Sequence, residues 1–128
     1  MTTDTLDDAE KPPRGGTASD PIRSVTSETF DALVSNGKGP LVVEFMSYGC
    51  GHCRVLEPIL QEVARSMISE VTLFRVNVGL ERELAAAFEI QGTPTLIMVL
   101  DGTEVGRVEG PQPTMAGIEA AITQSFGR

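Results

Sequence analysis

From residue 21 onward the apolar positions switch repeatedly between a period of two and a period near 3.6, and that switching sets the expected elements. Ile22 to Val25 reads as a short strand. Phe30, Leu33 and Val34 then recur at helical spacing, with Thr26 or Ser27 as the expected cap and Asn36-Gly37 as the stop. Leu41 to Met46 (LVVEFM) is almost continuously apolar, as expected of a central strand covered on both faces. Val55, Ile59, Val63 and Met67 predict a helical stripe interrupted by Pro58. Val71 to Val78 reads as a strand, Glu81 to Phe88 as a short helix, and Thr95 to Leu100 as a strand. Asp101-Gly102 is a turn signal, with Glu104 to Glu109 as the returning hairpin partner. Met115, Ile118, Ile122 and Phe126 are expected to line the inner face of a last helix. The order βαβαβαββα implies an α/β domain: a central mixed sheet with helices on both faces.

Residues 1–20 break this pattern. They carry five acids (Asp4, Asp7, Asp8, Glu10 and Asp20) against Lys11 and Arg14, and Leu6 is their sole large aliphatic residue after Met1. Such a segment cannot bury enough apolar surface to offset its ordering entropy, so a disordered acidic tail is expected ahead of one domain over 21–128. A chain of 128 residues suffices for that domain. The net charge of −8 argues against a nucleic-acid partner. No apolar run reaches the roughly 20 residues of a membrane span, and no basic-then-apolar leader opens the sequence, so a cytoplasmic location is expected.

The candidate chemistry lies in Ser47-Tyr48-Gly49-Cys50-Gly51-His52-Cys53-Arg54, which holds both cysteines and the one histidine. It falls where the LVVEFM strand ends and the next helix begins. Thiols three apart inside a helix have Cβ atoms about 5–6 Å apart, whereas a disulfide wants about 3.8 Å. The pair can therefore close only with Cys50 at the cap and Cys53 in the first turn. At the cap, free N–H groups and the helix dipole favour a Cys50 thiolate, and Cys53 is expected to be sheltered and less acidic. An exposed nucleophile beside a resolving thiol suits thiol–disulfide exchange. A mononuclear zinc site would need four ligands, and no further Cys or His exists in the chain. A metal or cluster shared between two chains, and an inert pair, remain alternatives. His52 would add positive charge near Cys50. Glu44 shares a strand face with Val42 and Met46, so it is expected to be buried, with a raised pKa suited to proton exchange near neutrality. Gly92-Thr93-Pro94-Thr95 precedes a strand, and by spacing alone Pro94 reads as an ordinary trans proline.

Together these residues resemble the thioredoxin superfamily over about residues 22–126. VEFMSYGCGHCR is similar to the active-site segment of thioredoxin, and its CGHC core to that of protein disulfide isomerase. Glu44 falls at the family's buried acid, Pro58 at the proline of the active-site helix, and Arg75 where the family has a lysine near that acid. Thr93-Pro94 matches the cis-proline loop, and Gly102 and Gly110 the later glycines. The resemblance implies the thioredoxin fold and a protein-disulfide oxidoreductase with Cys50, Cys53, Glu44, His52 and Pro94 as catalytic residues; a thioredoxin-fold binding module or co-chaperone with incidental cysteines, and a disulfide isomerase or oxidase, are the alternatives. It implies that Tyr48, Gly49, Gly51, Thr93 and Gly110 meet the substrate, with the Thr93 backbone pairing to an extended chain. Protein disulfides or dithiols and an upstream reductase such as a thioredoxin reductase are the implied partners of a monomer, with no cofactor and no metal. Two departures stand out: Gly49 replaces the usual tryptophan before the first cysteine, and Met46 replaces an aromatic residue further back.

Overall fold

The structure, a computed structural model, describes residues 20–127. The expected tail thus lies outside the described residues except for Asp20. Strand β1 covers Ile22–Ser24, β2 Pro40–Met46, β3 Thr72–Asn77, β4 Thr95–Leu100 and β5 Thr103–Glu109. Helix α1 covers Gly51–Ser66, α2 Arg82–Ala87 and α3 Met115–Ser125. The strands form one sheet in the order β1-β3-β2-β4-β5. β1 and β2 run parallel to β3, whereas β4 is antiparallel to β2 and β5 antiparallel to β4. This is the mixed α/β sheet that the alternating periodicities predict.

Strand β2 is central because Leu41 to Met46 are all buried. Its even positions, beginning with Val42, face α1 and α3, where Leu73, Leu96 and Met98 meet Leu56, Leu60, Val63, Ile118 and Ile122. Its odd positions join Phe74, Val76, Ile97 and Val99 on the opposite face, under Phe30, Val34, Leu84 and Phe88. At the β4–β5 turn, Gly102 has φ +85°, and a Cβ there would lie 2.4 Å from the Ser35 carbonyl oxygen.

Three local expectations are corrected. The first helical segment is a π-helical turn, Asp31–Ser35, and neither Thr26 nor Ser27 caps it through a side chain. The Thr26 N–H instead donates to Thr29 Oγ1 at 3.0 Å, and the Ser27 N–H and hydroxyl both donate to Glu81 Oε1 at 2.9 Å. In α1 the buried face is Cys53, Leu56, Leu60, Val63 and Ala64, whereas Val55 is 56% exposed. Steps of four residues overrun a 3.6-residue turn, so a stripe of fours drifts around the cylinder, while alternating threes and fours hold one face. Pro58 lies inside α1 without ending it. In α3, Ile118 and Ile122 are buried and Phe126 packs against them, but Met115, at the first turn, is exposed.

Candidate active site

The candidate site is built at the C-terminal end of β2. After Met46 the chain turns through Ser47-Tyr48-Gly49, and the Cys50 N–H closes the turn onto the Ser47 carbonyl at 3.1 Å. Cys50 is the extended N-cap of α1, and its Sγ accepts a hydrogen bond from the Cys53 N–H at 3.1 Å. An α-helix leaves its first N–H groups unpaired, so a sulfur held there is met by donors and by the positive end of the dipole. Opposite it, the Thr93-Pro94 bond is cis, and the Cys50 thiol donates to the Thr93 carbonyl at 3.4 Å. The Gly110 N–H donates to the Pro94 carbonyl at 2.8 Å, tying the end of β5 to that loop.

The two thiols occupy unlike surroundings, and both are free. Burial opposes charge on Cys50, yet hydrogen bonds from Cys53 and Thr93 and from the Cys53 and His52 backbone N–H groups outweigh it and lower its pKa. Cys53 is 3% exposed. Burial, followed by its hydrogen bond with Cys50, pushes its pKa up to about 11.

Glu44 lies on the α1 face of β2, two residues before the strand ends at Met46. It is 1% exposed, and among the described residues neither carboxylate oxygen has a hydrogen-bond partner. Burial, reinforced by the charge of Glu57 and opposed by Arg75, raises its pKa to about 7. Arg75 sits directly across the parallel β2–β3 register from Glu44, with Nε 3.7 Å from Oε1. Its other nitrogens are taken elsewhere: Nη2 hydrogen-bonds Glu57 Oε2, and Nη1 lies 3.7 Å from Asp20 Oδ2. Asp20 is itself fixed, accepting from the Ile22 N–H at 2.9 Å and from Gln61 Nε2 at 3.0 Å.

Two depressions border the cysteine turn. One, of about 260 Å³, is lined by Met46, Ser47, Tyr48, Cys53, Arg54, Glu57 and Arg75. The other, of about 230 Å³, is lined by His52, Val55, Leu56, Pro94 and the segment Gly110-Pro111-Gln112-Pro113. The sequence-derived residues therefore divide. Cys50, Thr93, Pro94 and Gly110 are linked by hydrogen bonds or a shared loop, and the His52 side chain lies on the Pro94 side. Tyr48, 72% exposed, lies on the Arg75 side. Packing does not require glycine at 49 or 51: a Cβ at Gly49 meets only Ser47 Oγ, at 4.0 Å, and one at Gly51 meets open space. The sequence reading does not find Glu57 or Asp20. Glu57 leaves a trace, since it lies four residues after Cys53 and hence on the same helix face. Among the described residues no group of three or more His, Cys, Asp or Glu side chains could hold a metal ion, and no helix is long and apolar enough to cross a membrane.

A strand-to-helix CXXC turn facing a cis-proline loop on a five-stranded mixed sheet defines a thioredoxin-fold oxidoreductase. The thioredoxin family model matches residues 21–124, and the chain belongs to the thioredoxin family. It is 36% identical over 89 residues to thioredoxin of Chlamydia pneumoniae, covering 70% of this chain and 84% of that protein. It is 33% identical over 86 residues to thioredoxin of Mycobacterium tuberculosis, covering 67% of this chain and 74% of that one. It also matches a bifunctional thioredoxin reductase/thioredoxin of Mycobacterium leprae, 31% identical over 86 residues, which are 67% of this chain and 19% of that protein. The family's general chemistry is thiol–disulfide oxidoreduction at the CXXC pair.

Proposed function

We propose that the protein reduces disulfides of partner proteins through the Cys50–Cys53 couple. The observation that carries this reading is the asymmetry of the two thiols, an acidified sulfur at the helix cap and a protonated, buried one a turn later. The Cys50 thiolate attacks one sulfur of a partner disulfide, breaking that bond, forming a mixed disulfide and releasing a partner thiolate, which takes a proton from solvent. Cys53 then gives its proton to the Glu44 carboxylate as its sulfur attacks Cys50 Sγ. The second partner sulfur leaves as a thiolate that takes a proton from solvent, Glu44 later releases its own proton, and the Cys50–Cys53 disulfide retains the oxidising equivalents. An extended partner chain would pair with the Thr93 backbone beside Cys50, in the manner of an added strand. An upstream dithiol reductase would return the couple to the thiol form. The reductase fused to thioredoxin in the Mycobacterium leprae relative supports that partnership. We place this cycle in a cytoplasmic monomer.

Insulin reduction driven by dithiothreitol tests the proposal. The wild-type chain is expected to turn over, Cys50→Ser to be inactive, and Cys53→Ser to accumulate long-lived mixed disulfides at Cys50. Binding of partner chains without dithiol-dependent turnover would make the domain a docking module instead.

A further inference from the structure

A carboxylate buried beside an arginine ordinarily takes two parallel hydrogen bonds from the guanidinium. Among the described residues Glu44 takes none, although Arg75 is its cross-strand neighbour. One guanidinium is shared among three carboxylates on separate elements: Glu44 on β2, Glu57 on α1 and Asp20 ahead of β1. Glu57 and Asp20, each about one-third exposed, hold the two Nη ends. Only Nε remains for Glu44, at 3.7 Å and without a hydrogen bond. The geometry points to Glu57 as a positioning residue that withholds Arg75 from Glu44 and so keeps the buried carboxyl able to exchange a proton.

The charged groups that act on Glu44 are Arg75 from β3 and Glu57 from α1, with Asp20 connected to it only through Arg75. On β4 the opposite residue is the apolar Leu96. Of these, only Arg75 favours the carboxylate form, and among the described residues its one side-chain hydrogen bond goes to Glu57. A small rotation would let Nε close on Glu44. The hydrogen bond to Glu57 prevents it. Glu57 also lines the depression that Cys53 borders, so the cluster meets solvent beside the thiol whose proton must leave. The catalytic meaning of this arrangement rests on the dithiol cycle proposed above. The arrangement itself can be tested without it.

The experiment follows the Glu44 side-chain carboxyl by carbon NMR in the reduced protein across a pH titration, with no partner disulfide present. In Glu57→Gln, Arg75 Nη2 loses its carboxylate and the neighbouring negative charge disappears. The Glu44 midpoint should fall by about one pH unit, the scale of an opposite charge moving into contact. Glu57→Asp, which keeps the charge, should hold the midpoint near that of wild type. In an Arg75→Met background there is no guanidinium to redirect, so Glu57→Gln should shift the midpoint by much less. An unmoved or rising midpoint in Glu57→Gln overturns the inference. So does an equal shift with and without Arg75, since Glu57 would then act only as a distant charge. The midpoint of the pH–rate profile for the Cys53 resolving step should move down together with the carboxyl titration. Absence of insulin turnover in the wild type would overturn the proposed function and leave the carboxyl titration interpretable. An unmoved carboxyl in an active enzyme would overturn this inference alone.

Discussion

Cys50 and Cys53 differ in what surrounds them more than in distance along the chain. With a pKa near 11, Cys53 is a thiolate in roughly one molecule in ten thousand at neutral pH. Cys50 is shifted the other way and is therefore the more readily ionised of the two. Iodoacetamide at neutral pH should therefore modify Cys50 far faster than Cys53 in the reduced protein, as read by peptide mass. Equal rates would remove the nucleophile assignment. This asymmetry is legible in the sequence, because a CXXC at a strand-to-helix junction leaves one sulfur on the free N–H groups and sends the other inward. The burial of Glu44 is legible too, from alternation with Val42 and Met46. What sequence reading cannot reach is which of three carboxylates holds Arg75. That depends on side chains brought together from β3, α1 and the segment before β1, separated by as many as 55 positions between Asp20 and Arg75.

At the scale of elements, His52 in the first turn of α1 offers two groups that can be removed separately, its imidazole and its backbone N–H. The N–H is among the groups that lower the Cys50 pKa. His52→Ala keeps it, whereas His52→Pro removes it. Both should make the reduction potential more negative in a glutathione titration, because a less stabilised thiolate makes the reduced form less stable. The proline variant should shift further, and each 30 mV corresponds to about 1.4 kcal/mol. A potential that rises or stays put in His52→Pro would mean that this residue does not set the redox poise. The packing of α3 on β5 gives a second prediction. A Cβ at Gly106 would stand 2.8 Å from Ser125 Cβ and 2.3 Å from its Oγ, which is already bonded to the Ala121 carbonyl. Gly106→Ala should therefore destabilise the fold by about 1–3 kcal/mol in urea denaturation, the usual cost of overpacking. Strand β4 is readable to the residue because its apolar run is bounded by Pro94 and Asp101-Gly102. The π-helical turn is not: three apolar positions fix the buried face, but over five residues they do not distinguish an i→i+4 ladder from an i→i+5 ladder. The register of α1 is misread for a similar reason, since Val55 and Leu56 are adjacent and equally apolar, and burial of Cys53 decides between them.

Across the whole molecule, Glu44 is the one charged residue among the buried side chains of the described residues, so its titration is coupled to global unfolding. Its pKa is about 7 in the fold against 4.5 ordinarily, so the folded chain binds the proton more tightly than the unfolded chain. The resulting stabilisation is fully present below pH 4.5 and is lost as pH rises through 7. Wild type should thus lose roughly 3 kcal/mol relative to Glu44→Gln across that interval, measured by denaturant unfolding at each pH. A constant difference between the two would mean that the carboxyl does not titrate in the fold. The exposed, unfilled position at Gly49 has a different kind of consequence, for optics. Without tryptophan and with Tyr48 as its single tyrosine, the chain contributes no indole emission of its own. In a complex trapped on Cys50, any tryptophan fluorescence belongs to the partner alone, so the bound protein's own unfolding can be followed against a dark background. The open space at residue 49 also allows a reporter indole to be introduced beside the reactive sulfur when the oxidoreductase itself is to be watched.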